Sequence, residues 1–381
     1  MRARCRPASL LPLLLVLACD DPGREAASAG GGIGGLDSGA DGAATDGPAD
    51  GDDGAGTDGG GGDDRPGGHD DDGVKLDVGG ASAGDGSGLP PAECDTPEHV
   101  PCDEGTADPF AAMGLGCAGE VTVVPSTAGP DTGRGIRSSF GATHTFDPTE
   151  GSAYAVIGTG LVSELDQATP PDDGNAFPTH CNDDLGDFDP GDTLPDPLRT
   201  NDVMGDCAAD PTLIGTGDCS NPIAEQFSQG DSANDYVEMR ISARVPEDVI
   251  SFSYDFAFLS TEYPTYYGST FNDMYVGWLE SENWTGNVSF DGDGNPISLN
   301  AGFLDFQDDD GTLPELDGTC MRQHAATDWL TTTSPVTPGE EITLVFAIFD
   351  VSDSSLDSYA LLDNFQWGCD PSLVPQTEPE G

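Results

Sequence analysis

Two short stretches of this chain concentrate oxygen ligands. The first runs Phe256-Ala-Phe-Leu-Ser-Thr-Glu-Tyr-Pro-Thr-Tyr-Tyr-Gly-Ser-Thr-Phe-Asn-Asp273, and places Glu262, Asn272 and Asp273 between two strand-like segments. The second, Ile348 to Phe365, carries Asp350, Asp353, Asp357 and Asp363, the last beside Asn364. With no Lys and few Arg nearby in sequence, carboxylates at this density need a cation or water. Hard oxygen donors suit Ca²⁺ rather than Zn²⁺, so a structural calcium is expected on Asp363, with partners among Glu262, Asp273, Asp350, Asp353 and Asp357. The same side chains also serve Asx turns and strand-end caps, and both uses stay open. Asp291 to Asn295 resembles the start of an EF-hand loop. It fails that pattern, because Pro296 and Gly302 stand where the loop needs Gly and a bidentate Glu. A hairpin turn is expected there.

Aromatic residues offer a second kind of chemistry. Tyr263, Tyr266 and Tyr267 share one loop with Pro264 and Gly268. Flat rings on a sandwich rim stack on sugars or anchor protein interfaces, and the same rings also pack loops against a core. For catalysis the chain offers little. It has no G-x-S-x-G, H-E-x-x-H, P-loop or dinucleotide fingerprint, and its five His are scattered. The chain reads as non-enzymatic.

These residues must be held by strands. In YVEMRISARV, Val237, Met239, Ile241, Ala243 and Val245 alternate with Glu238, Arg240, Ser242 and Arg244, which predicts a strand with one wet face. ISFSYDFAF alternates again after the turn Pro246-Glu247-Asp248. Further strands are expected at Val121 to Val124, Tyr154 to Ile157, Met274 to Leu279, Asn287 to Phe290, Ile342 to Phe349 and Tyr359 to Trp367. No run of ten or more residues has helical period and caps. Between Leu165 and Asn234 the chain is rich in Pro, Asp and Gly and shows little periodicity. The fold class is therefore all-β, an antiparallel jelly-roll-like β-sandwich.

Taken together, the blocks "F-x-S-x-E-Y-P … G-S-x-F-N-D" and "D-x-x-D-x-x-x-D-S … D-N" resemble the bacterial surface-protein domain called choice-of-anchor L. The likeness covers roughly residues 235–367. It implies an exported β-sandwich fixed to a cell by one of several anchors, and it says little about molecular function. Asp363 also occupies the place of a calcium-binding Asp in the closing strand of jelly-roll carbohydrate-binding modules, which this domain resembles in outline.

The N-terminus fits that implication. Residues 1–18 have a basic start and a short apolar core, the parts of a secretory signal, and Cys19 follows a small residue as in a bacterial lipoprotein. Cys19 is thus the expected lipidation site. Residues 19–90 are Gly- and Asp-rich with few large apolar side chains, and read as a disordered tether. As a Gly-rich coil it would span roughly 45–50 Å. The sandwich is expected at 91–369, and 370–381 as a flexible tail. The whole chain carries 70 acidic against 12 basic residues, net −58, with Lys75 its only lysine. Nucleic acid would repel such a body. Eight cysteines remain outside the signal and anchor: Cys94, Cys102, Cys117, Cys181, Cys207, Cys219, Cys320 and Cys369. In an exported chain they predict disulfides, and no C-x₂-C pair supports zinc.

The leading functional expectation is a lipid-anchored cell-surface or outer-membrane module, calcium-stabilised, that binds a glycan or a surface protein in adhesion. The alternatives are a structural envelope protein without a soluble ligand, and an extracellular hydrolase.

Overall fold

Alternation of apolar and polar residues becomes two antiparallel sheets. The computed structural model describes residues 94–119, 121–168, 179–186, 188–200, 222–230, 232–282 and 284–380. In chain order the strands are β1 (Val123–Ala128), β2 (Arg134–Arg137), β3 (Tyr154–Gly158), β4 (Ala233–Arg244), β5 (Ser251–Ser260), β6 (Met274–Glu280) and β7 (Thr285–Asn287). They continue with β8 (Ile297–Ser298), β9 (Phe306–Gln307), β10 (Ala325–Ala326), β11 (Leu330–Pro335), β12 (Glu341–Val351), β13 (Ser358–Gly368) and β14 (Gln376–Pro379). One sheet has the order β1-β4-β12-β6-β7, with β8 beside β6. The other has the order β14-β11-β5-β13-β3-β2, with β10 and β9 extending from β5. The all-β sandwich is the architecture of the described residues.

The central core lies between the sheets. Val237, Met239 and Ile241 on β4 and Phe346 and Ile348 on β12 meet Phe252, Phe256 and Phe258 on β5 and Ala360 and Leu362 on β13. Each of these side chains larger than alanine contributes about 1.5–3 kcal/mol when taken out of water. The outer faces are covered in part: on β4 Ser242 and Arg244 are exposed as the alternation predicts, while Tyr236 and Glu238 are buried. Beyond β4, β12 and β6, Tyr236, Phe349, Val276 and Trp278 are buried under Leu194, Leu198 and a short helix α2 (Pro222–Gly230), which follows the single turn α1 (Pro109–Ala112) in the chain. Ile223 and Phe227, four residues apart, supply its apolar stripe. Beyond β5, β13 and β3, Leu259, Leu361 and Tyr154 pack under Phe140, Phe146 and Trp329. Of the strand expected at Asn287 to Phe290, only Asn287 lies in a strand, β7. The expected free tail at 370–381 instead supplies β14, which pairs with β11 from Leu330↔Pro379 to Thr333↔Gln376.

Three disulfides tie irregular segments to this body: Cys94–Cys369, Cys102–Cys117 and Cys181–Cys320. Cys207 and Cys219 lie outside the described residues, as do Cys19, the signal and the tether.

Candidate functional site

The acidic residues of the two blocks meet at one end of the sandwich, and the sheet registers explain how. The β12–β6 ladder ends at Phe349↔Met274. One rung further come Asp350 and Asp273, and alternation sends both inward, as it does Ile348 and Tyr275. On the other side of β12 the pairing with β4 slips between Ile348 and Asp350. This bulge inserts an extra residue and re-aims a side chain. Asp235 sits there with φ 47°, a left-handed backbone that Asp tolerates better than most residues. From the facing sheet, Ser358 enters from β13, and Glu262 enters from the loop after β5.

Backbone and hydroxyl donors hold part of the set. Asp273 Oδ2 accepts from Ser358 Oγ at 2.7 Å, and the Asp273 N–H donates to Glu262 Oε2 at 3.2 Å. Asp357 accepts from the Asp183 N–H at 3.0 Å and from the Tyr359 hydroxyl at 3.0 Å. Gly160 is required beside it, because a Cβ there would lie 1.6 Å from Asp357 Oδ2. A strap formed by residues 181–186 and 188–191 closes this end. The Gly186 N–H donates to Asp235 Oδ1 at 3.0 Å, the Leu356 N–H to Asn182 Oδ1 at 3.1 Å, and the Asp235 N–H to Asp189 Oδ1 at 3.0 Å. Cys181, at the start of the strap, is bonded to Cys320.

No ion pair among the described residues reaches Asp235, Glu262, Asp273, Asp350 or Asp357. Burial pushes Asp273 and Asp235 up to about 7 and Glu262 up to about 10, and neighbouring carboxylates add to each rise. Burial drives Asp350 and Asp357 well above the ordinary carboxylate range, and Asp273 acts on both. Neither oxygen of Asp350 has a hydrogen-bond partner. The nearby Thr159 hydroxyl accepts from the Ser358 N–H at 2.9 Å, approaches the Ser358 carbonyl at 3.5 Å and tempers the rise at Asp350. Such a set attracts a cation. No three His, Cys, Asp or Glu side chains among the described residues already stand in metal-holding geometry.

Asp363 does not join this group, which corrects its expected central role. Six residues along β13 from Asp357, it lies about 20 Å away at a strand's rise. There Oδ2 accepts from the Thr149 N–H at 2.8 Å and the Glu150 N–H at 3.1 Å, so Asp363 pins a loop. Asp353 is half-buried at the edge of the group and accepts from the Ser355 N–H at 3.3 Å, an Asx turn. Asn272 bridges Asn300 and Gln226 of α2. Asp291 accepts from the N–H groups of Asp293, Asn295 and Gly302, the turn expected there.

The tyrosines divide. Tyr263 is buried, with its hydroxyl donating to Asp309 Oδ1 at 2.5 Å, so it is corrected from ligand platform to loop support. Tyr266 is half-buried against Phe271. Tyr267 alone of the three is open, 52% exposed. Asp235 is the member that sequence reasoning missed. Its only signal is a place just ahead of the YVEMRISARV strand.

No protein-family model matches this chain, and no curated protein or solved structure matches it at a significant level.

Proposed function

We propose that the chain is a lipid-anchored module of the choice-of-anchor L kind, displayed on the cell surface or outer membrane. It binds a glycan or a surface protein without catalysis, and it carries Ca²⁺ as a structural ion. The observation that carries this reading is the set of three disulfides that staple irregular segments onto a two-sheet body. Such cross-links persist in oxidising compartments outside the cytosol. The lipoprotein-type start at Cys19 and the acidic Gly-rich tether supply attachment and reach. No helix among the described residues is long and apolar enough to cross a membrane. Tyr267, beside exposed Pro264 and Gly268, offers the aromatic contact.

Protease shaving of intact cells, together with an adhesion assay, tests the reading. Surface protease should remove the sandwich, and Tyr267→Ala should weaken adhesion without changing its melting temperature. Full protection of the sandwich in intact cells would overturn the surface placement. Adhesion indifferent to deletion of the whole gene product would overturn the binding role.

A further inference from the structure

We propose that Asp235, Asp273 and Asp350 form a Ca²⁺ site inside the sandwich, with Asp350 at its centre. This rests on the calcium part of the reading above and supplies the ligands. Among the described residues, every buried carboxylate oxygen without a hydrogen-bond partner belongs to these three side chains. They are Asp235 Oδ2, Asp273 Oδ1 and both oxygens of Asp350. All three residues are fully buried, and Asp350 is the common neighbour of the other two.

Orphaned carboxylate oxygens in a dry interior are costly, and a basic partner is the ordinary remedy. None is present. One proton shared by Asp273 and Asp350 would satisfy one oxygen of each, leaving the other Asp350 oxygen and Asp235 Oδ2 dry. A single divalent cation meets all four. The outer two residues are prepared for it in the same way. Each has one oxygen fixed by a donor, Ser358 Oγ for Asp273 and the Gly186 N–H for Asp235, and the other left free. Hydrogen bonds of this kind orient ligands around metals. Asp357 has both oxygens bonded already and stands behind the site.

The ion's identity follows from the donors. With oxygen alone and neither His nor Cys, the site is hard. Ca²⁺ would take these four oxygens and complete its six to eight from backbone carbonyls or water in a flexible shell, where Mg²⁺ demands a regular octahedron. Binding requires the three carboxylates to close further on one point. They come from the β4 bulge, the approach to β6 and the end of β12, and the strap is bonded to the first of them. The ion thereby locks four separate segments at one end of the fold.

Calorimetric titration of CaCl₂ into the chelator-stripped mature chain tests this, using wild type, Asp350→Asn, Asp235→Asn and Asp363→Asn. Wild type and Asp363→Asn should bind one Ca²⁺, and Asp350→Asn should lose the binding heat. Asp235→Asn should weaken it at least tenfold. Asp350→Asn removes a carboxyl that the fold must protonate when no ion is bound, so in chelator it should melt above wild type. That result separates ligand loss from misfolding. Binding spared by Asp350→Asn and abolished by Asp363→Asn would overturn this site while keeping calcium in the reading. No binding by wild type would overturn the site and the calcium part together, leaving surface display to its own test.

Discussion

Asp273 and Asp350 stand as cross-strand neighbours one rung past the last pair of the β6–β12 ladder, Met274↔Phe349, both fully buried and both facing the other sheet. Like charges directly opposite in a sheet are destabilising. A fold that keeps them there holds a proton or a cation between them, and the calcium proposed above sets what the neighbouring residues should do.

Asp363 should behave as a structural anchor. It holds the Thr149–Glu150 loop through two backbone N–H groups. Asp363→Ala should destabilise by about 1–3 kcal/mol for the donors left unpaired. The loss should be equal in calcium and in chelator, as read from urea unfolding. A loss confined to calcium-containing buffer would return Asp363 to the ion.

His324 should give an acid-sensitive component. It is buried, its Nδ1 bonds the Tyr263 carbonyl at 2.6 Å, and burial lowers its pKa from 6.5. The unfolded chain thus takes up a proton near pH 6.5 that the folded chain refuses. Stability from this residue is complete above that pH and is lost as pH falls below it. Raised carboxylates titrate in the opposite sense, so the comparison is between wild type and His324→Gln. The variant should lose less stability than wild type between pH 7.5 and about 5.5. Equal losses would contradict the assignment.

Trp278 and Tyr267 should separate core from rim. Trp278 is fully buried on the outer face of β6, and its indole N–H donates to Glu280 Oε1 at 2.9 Å. Trp278→Ala should cost about 3–5 kcal/mol. Tyr267→Ala should stay within about 0.5 kcal/mol of wild type. Chemical denaturation of both variants reads the difference directly.

Peptide mapping under non-reducing conditions should recover Cys94–Cys369, Cys102–Cys117 and Cys181–Cys320. Replacing the Cys181–Cys320 pair with serines should cost about 2–5 kcal/mol and loosen the strap over the acidic group. Cys181 bridged instead to another cysteine would contradict the strap's path.

Period-two runs such as YVEMRISARV and ISFSYDFAF announce their strands, because each buries one face in the central core. The covering of the outer faces was not legible in the same way. Tyr236 and Trp278 owe their burial to Leu194, Leu198 and α2, which lie far away in sequence. The helix had its Pro at the start and its Gly at the end, yet nine residues show too little period to declare themselves. The acidic blocks pointed to Glu262, Asp273, Asp350 and Asp357 because density is visible in sequence. They misplaced Asp363 because position along a strand, not proximity in a motif, decides which end of the sandwich a side chain reaches. Asp235 depends on a bulge, and Tyr263 on a partner 46 residues on, Asp309. Neither has a local signature.

Thermal unfolding of the mature chain in excess chelator and in excess calcium tests the central claim most directly. A ligand bound only by the folded state stabilises by about 2.7 kcal/mol at 100 times its Kd. The melting temperature should therefore rise by several degrees with calcium, rise much less with magnesium, and show no calcium response in Asp350→Asn. Superimposable wild-type curves in chelator and calcium would contradict the account, and would leave a shared proton as the partner of Asp273 and Asp350.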